Sequence, residues 1–337
     1  MAGRRVESAV GVAHALAPAA FAWALTSCAG AQSALDPAGR GAERIADLFW
    51  GMTIGAVIIW LGFVGLMIYS GYFARREYTV KAATLLVIGG GIVFPTLVLT
   101  GLLTYSLALL PSFLDPAPPG SLKILVTGEQ WWWRVRYFRF DGEPVDVANE
   151  IRLPVGAPVE FELESPDVIH SFWIPSLGGK VDMIPGRKTR LRLEPTKAGV
   201  FRGVCAEYCG TSHALMAFWV VVEEKEKFHQ WLDDQAKPAK SSDGPMADAG
   251  REYFLANGCG ACHTVRGTTA DGVVGPDLTH VGSRLSVGAG VLANEADYFR
   301  QWIAHTNEKK PGVRMPAFGM LPPDQLQALA AYLEDLK

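Results

Sequence analysis

Cys205-Ala206-Glu207-Tyr208-Cys209-Gly210-Thr211-Ser212-His213-Ala214-Leu215-Met216 puts two thiols, an imidazole and a thioether into one loop-length stretch, with His170 available upstream. Soft sulfur combined with imidazole selects copper among the common metals. A mononuclear blue-copper site needs one cysteine. The second points to two coppers bridged by both thiolates, which share one electron and reorganise little when it moves. Coordination closed by protein ligands also argues against substrate chemistry at the metal. Zinc accepts paired cysteines and histidines too, but it requires neither the methionine nor a strand-rich frame.

The frame around this stretch does read as strands. Lys123 to Val126, Trp133 to Phe140, Pro158 to Leu163, Thr189 to Leu193 and Phe218 to Val222 alternate or carry β-branched runs, with Pro, Gly and Asp turns between them. An antiparallel β-sandwich over residues 121–233 is the expected fold. Within it, Gln130-Trp131-Trp132-Trp133 reads either as aromatic packing or, because strand residues alternate, as a motif with one exposed face.

Downstream, residues 234–246 turn to Lys, Ser, Pro and Ala, a solvated linker without a core pattern. Residues 247–337 then form a second soluble domain, with helical spacing over Ala247 to Asn257 and Asp324 to Leu336. Cys259-Gly260-Ala261-Cys262-His263 is the c-type haem attachment signature: two thiols add to the haem vinyl groups and the adjacent histidine becomes the proximal ligand. Met315, in Arg314-Met315-Pro316, is the expected distal ligand, with Met320 as its rival. His280 and His305 read as surface or packing residues.

Upstream, two runs of about 48–74 and 82–110 are nearly free of charge, and each exceeds the ~20 residues that cross hydrocarbon. They make a transmembrane hairpin over residues 32–110. Arg75, Arg76 and Lys81 against Glu77 place the connection in the cytoplasm and both termini outside it. Gly89-Gly90-Gly91 and Pro95 suit close helix packing in lipid and imply a larger integral partner. Residues 1–31 read as an export signal, either of lipoprotein type with Cys28 modified, or cleaved after Ala29-Gly30-Ala31 to leave Gln32 first. The five cysteines of the 337-residue chain therefore do not form a disulfide framework. A net charge of -3 without a basic stripe argues against a nucleic-acid partner.

The copper-loop motif, together with Asp167-Val168-Ile169-His170-Ser171-Phe172-Trp173 and Ile184-Pro185-Gly186-Arg187, resembles subunit II of the haem-copper cytochrome c oxidases over roughly residues 32–233. Behind it, the haem segment is similar to class I cytochromes c. The first resemblance implies a cupredoxin-like sandwich holding the binuclear centre called CuA. Cys205 and Cys209 would bridge, His170 and His213 would ligate one copper each, Met216 would be axial, and Glu207 would supply a carbonyl. The Glu207 carboxylate would serve a magnesium shared with subunit I. Trp131 takes the position of the exposed tryptophan that accepts electrons from cytochrome c, while Glu129 and Trp132 stand where His and Tyr are usual. Gly275-Pro276 resembles the segment whose carbonyl holds the proximal histidine.

The function implied is a proton-translocating cytochrome c oxidase component. Electrons would pass from a cytochrome c or a cytochrome bc complex through covalent haem c to CuA, and on to the oxygen-reducing subunit I. Subunit III would be a further partner. The chain would sit in a bacterial inner membrane with both soluble domains on the periplasmic side. The glutamate that the family often places at the proton entrance is missing from the second helix, leaving Glu77 as a substitute. The alternatives are a CuA-bearing subunit of a nitric oxide reductase and a membrane-bound electron carrier without an attached enzyme.

Overall fold

The computed structural model describes residues 29–73, 79–139, 142–240 and 244–337. The export signal up to Cys28, the loop charges Arg75, Arg76 and Glu77, and the strand end at Phe140 lie outside the described residues.

Two helices, α1 (Arg40–Phe73) and α2 (Val80–Leu114), are long and apolar enough to cross a membrane, and their most apolar stretches are exposed in the isolated chain. α1 starts at Arg40 rather than Leu48 because its first turns belong to the soluble domain. Ala42 and Ala46 are buried there, and the Ala42 N–H donates to the Leu177 carbonyl at 3.2 Å. Arg40 pairs with Glu194, and the Thr196 hydroxyl donates to Glu43 at 2.8 Å. The helix is thus anchored in protein before it enters lipid. α2 carries a widened turn at Gly89–Val93, where the Phe94 N–H bonds to the Gly89 carbonyl. Pro95 follows it. A proline ring crowds the carbonyl four residues back, and an i→i−5 turn gives it room.

The middle of the chain forms two five-stranded sheets from ten strands: β1 (Leu122–Glu129), β2 (Trp132–Phe138), β3 (Val145–Ala148), β4 (Glu150–Pro154), β5 (Val159–Glu164), β6 (His170–Trp173), β7 (Val181–Met183), β8 (Thr189–Leu193), β9 (Gly199–Cys205) and β10 (Ala217–Glu223). One sheet runs β3-β2-β1-β5-β8 and the other β4-β10-β9-β6-β7. The sandwich is cupredoxin-like, but it is not wholly antiparallel as the strand pattern suggested. β1 pairs with β5, and β4 with β10, in parallel. Parallel partners need long crossovers, and here the intervening chain passes through the opposite sheet before returning.

Aromatic rings fill the space between the sheets. Phe218 stacks on Phe172 at 5.1 Å and meets the edge of Trp133 at 5.1 Å, all three fully buried. Gly203 on β9 leaves room for that cluster, since a Cβ there would lie 2.0 Å from the Phe218 ring. After β10, α3 (Lys225–Gln235) buries Phe228 and Leu232 in the same core.

The chain then passes straight onto a second domain. The Ala239 N–H donates to the Arg266 carbonyl at 2.9 Å, and the His280 Nε2 lies 3.1 Å from the Lys237 carbonyl. Residues 236–240 touch the second domain at these two points, while Lys237, Pro238 and Lys240 stay exposed.

The second domain is helical, with α4 (Pro245–Ala256), α5 (Ala296–Ala304) and α6 (Pro323–Asp335). α4 crosses α6 where Gly250 meets Ala328: an added Cβ would stand 2.0 Å from the Ala328 carbonyl oxygen. Phe254 and Tyr332 make an edge-to-face contact at 5.6 Å beside the crossing. Each glycine sits where two backbone or ring surfaces have closed completely. Gly203→Ala is expected to cost about 1–3 kcal/mol by overpacking. It should lower the unfolding midpoint of the sandwich in a thermal melt and leave that of the helical domain unchanged.

Candidate redox centres

β6 begins at His170, β9 ends at Cys205 and β10 begins after Met216, so three neighbouring strands of one sheet deliver the loop's donors to one point. Cys205 N–H donates to the Met216 carbonyl at 2.9 Å and closes the loop at its base, while Ala206 N–H donates to the Ser171 carbonyl at 2.9 Å. The Sγ atoms of Cys205 and Cys209 lie 3.8 Å apart. His170 Nδ1 is 3.8 Å from Cys205 Sγ, and His213 Nδ1 is 3.5 Å from Cys209 Sγ. Met216 Sδ stands 3.8 Å from Cys209 Sγ, and the Glu207 carbonyl 3.2 Å from Cys205 Sγ. All six residues singled out in the sequence converge. His170, both cysteines and Met216 are buried, whereas the Glu207 side chain is exposed.

The electrostatics suit cations. Two sulfurs this close cannot both ionise freely, because the second negative charge forms beside the first. Cys205, with the Cys209 thiol at hand, is held well below the ordinary thiol range, and Cys209 is pushed up by the Cys205 sulfur. Metal ions that replace the shared proton remove this conflict. The donor chemistry, two sulfurs with an imidazole on each and a thioether beside them, fits two coppers.

A surrounding set, not recognised from the sequence as functional, orients these side chains. Asp167 Oδ1 lies 3.0 Å from His170 Nε2, so the opposite ring nitrogen faces the sulfurs. Burial opposes a charged Asp167, yet the N–H groups of Gln130 and Val168 and the His170 ring together hold its carboxyl low. His170 is raised: burial disfavours its charge, but the hydrogen bonds to Cys205 and Asp167 outweigh that. Gly128 makes space for the ring, since a Cβ would sit 3.0 Å from it. A carboxylate three residues before a candidate ligand histidine was the signal available for Asp167.

In the helical domain, the turn Cys259–Ala261 follows α4. Both cysteines of the motif are free thiols, Cys259 half-buried and Cys262 exposed. His263 Nδ1 lies 2.8 Å from the Pro276 carbonyl, which leaves Nε2 for a metal. Burial lowers the pKa of His263 and keeps the ring neutral, as an iron ligand must be. Gly275 is seated on this ring, and its added Cβ would fall 2.5 Å from Cε1. Met315 is half-buried and its carbonyl accepts from Thr306 Oγ1 at 3.1 Å; Met320 is 78% exposed. His280 is buried in packing, and His305 lies on the surface beside Glu308.

The two sites are joined by contact. Ser212 Oγ donates to the Pro311 carbonyl at 2.6 Å, and Arg202 Nη2 donates to the Gly290 carbonyl at 3.2 Å. Glu150 accepts from the Leu285 N–H at 2.7 Å. Lys310 is wholly buried and donates to the Gly288 carbonyl at 3.0 Å. Gly312, at φ +81, lies against Trp131 so closely that a Cβ would meet the ring at 2.9 Å. Trp131 Nε1 in turn donates to the Cys209 carbonyl at 2.9 Å. Trp131 was expected to present an exposed face to a donor. It is 8% exposed, because the second domain covers it.

Comparison with known proteins bears on both domains. Residues 140–224 match the family described as cytochrome c oxidase subunit II, periplasmic domain, and residues 247–337 match cytochrome c. Cytochrome c oxidase subunit 2 of Alkalihalophilus pseudofirmus is 34% identical over 331 residues, covering 93% of this chain and 94% of that one. The same subunit of Bacillus sp. (strain PS3) is 32% identical over 252 residues, 71% of this chain and 69% of that one. The crystal structure of the periplasmic domain of subunit II of Bradyrhizobium japonicum cytochrome oxidase is 31% identical, covering 36% of this chain and 97% of that one, with a TM-score of 0.34.

The ligand geometry sets two outcomes. Cys209→Ser is expected to abolish the paramagnetic copper signal while leaving the haem spectrum intact, and Asp167→Asn to weaken copper binding about 10–100-fold. Retention of the copper signal in Cys209→Ser contradicts the assignment.

Proposed function

From a chain that belongs to the cytochrome c oxidase subunit II family and carries a cytochrome c domain behind it, we propose a tethered two-centre relay. A haem on the Cys259-Gly260-Ala261-Cys262-His263 motif and a copper pair in the 205–216 loop would supply one-electron chemistry when bound. Cys259 and Cys262 would hold the haem covalently, and His263 and Met315 would ligate its iron. Cys205, Cys209, His170, His213, Met216 and the Glu207 carbonyl would hold the coppers. The Glu207 side chain is exposed, where its carboxylate would be free to serve a magnesium shared with subunit I.

The observation that carries this reading is the run of contacts from Gly312 through Trp131 to the Cys209 carbonyl. Gly312 lies three residues before Met315, and Cys209 is a bridging ligand. The loop of the distal haem ligand therefore rests on the tryptophan bonded to the copper loop. Short packed contacts of this kind need no search by a free donor, so the fused domain replaces the first docking event. Trp131 serves as an internal bridge, and an external cytochrome c or cytochrome bc complex delivers electrons to the haem domain instead.

The chain's own catalytic role ends there. Its apolar helices seat it in a bacterial inner membrane beside subunit I, with subunit III as a further partner and both soluble domains on the periplasmic side. Subunit I reduces oxygen and translocates protons. Gentle solubilisation is expected to yield this chain together with a haem-copper subunit, in a complex that consumes oxygen when a reduced cytochrome is added. The haem of this chain should resist extraction by acidified acetone. A chain that purifies alone with both centres loaded and consumes no oxygen contradicts the proposal, as does a complex that reduces nitric oxide but not oxygen.

A further inference from the structure

Glu129 and Trp132 face each other across the two-residue turn of the β1–β2 hairpin. Neither touches the copper loop's donors through any of the contacts above. Both act instead on one side chain, Arg134. Glu129 Oε1 accepts from Arg134 Nε at 2.9 Å, and the guanidinium carbon lies 4.7 Å from the centroid of the Trp132 ring. The remaining edge of the fork reaches across to the haem domain, where Nη2 donates to the carbonyls of Val273 and Val274 at 3.0 and 3.5 Å.

The chemistry of this cluster is specific to arginine. A planar guanidinium can stack on an indole face and still donate from two edges, which an ammonium cannot do. Glu129 and Arg134 are largely shielded, with side-chain exposures of 20% and 25%, so their attraction is screened less than that of a fully exposed pair. The Val273 and Val274 side chains point to solvent, at 71% and 65% exposure. What that segment offers Arg134 is its backbone. The same segment runs into Pro276, whose carbonyl holds the His263 ring.

We propose that Glu129, Trp132 and Arg134 form an interdomain latch that holds the haem domain on the copper domain, with Arg134 as a positioning residue for electron transfer between them. The latch grips the segment leading to the proximal histidine, whereas Ser212 and Trp131 grip the segment leading to Met315. The copper domain thereby holds the haem motif's two ligand segments at separate points. Glu129 aims the guanidinium and Trp132 supports its face. The role in electron transfer rests on the relay proposed above, but the latch itself is a mechanical contact and is tested without turnover.

Hydrogen exchange measured by mass spectrometry on the intact chain in its complex reads the latch directly. Arg134→Ala is expected to raise exchange roughly tenfold in segments 272–276 and 311–315, the scale of one lost charge-assisted hydrogen bond. Segment 159–164 in β5 should be unchanged. Glu129→Gln, which leaves Arg134 in place without its aiming partner, should move the same segments in the same direction by less. Unchanged exchange at both interface segments in Arg134→Ala overturns the proposal, and so does an equal rise in β5, which marks general loosening. Because none of these readings depends on electron flow, a failed relay and a failed latch give different results.

Discussion

Two cysteine sulfurs held 3.8 Å apart in a buried loop set the terms for the rest of this molecule. Left to themselves they compete for one negative charge, as the opposite displacement of their acidities records. The sandwich keeps them together regardless. Strands β6, β9 and β10 bring in His170, Cys205 and Met216 from adjacent positions, and backbone hydrogen bonds at the loop's base prevent the sulfurs from separating. The aromatic cluster of Trp133, Phe172 and Phe218 lies beneath, so a shift of the loop would require repacking of the core. A centre that must change charge without changing shape is well served by such a seat.

The fused domain changes how that seat is reached. Gly312 of the haem domain closes over Trp131, and Ser212 is bonded to Pro311. The interface is built largely from side chains of the copper domain that bond to backbone groups of the haem domain. Ser212, Arg202 and Arg134 donate to carbonyls, and Glu150 accepts from an N–H. Such contacts fix the path of the haem-domain loops without demanding particular side chains from them. The anchored start of α1 and the tied segment 236–240 reduce freedom in the same way at the other ends of the sandwich.

Much of the site was legible because its residues are chemically unusual in combination. Two cysteines, a histidine and a methionine in twelve positions admit few readings, and the Cys259 to His263 motif fewer still. The long alternating strands β1, β2, β5, β8 and β10 were visible for the ordinary reason that one face is buried. β4 and β6 were not, since both faces are largely covered and no period of two survives: Glu150, buried within β4, even reads as a surface residue. β7 has three residues, too few for a pattern. The parallel pairings and the covering of Trp131 depend on contacts between segments far apart in the chain. No local sequence signal encodes those. Asp167 was hidden differently, as an ordinary acidic residue whose role exists only because His170 turns its Nε2 toward it.

The central claim is that the haem domain feeds the copper loop from within the same chain. Rapid mixing of the intact oxidised complex with a one-electron donor, following the haem and copper absorbances separately, tests it most directly. The haem should be reduced first, at a rate that rises with donor concentration, and the copper second, at a rate that does not. Copper reduction that precedes the haem, or that rises in proportion to donor concentration, would contradict it.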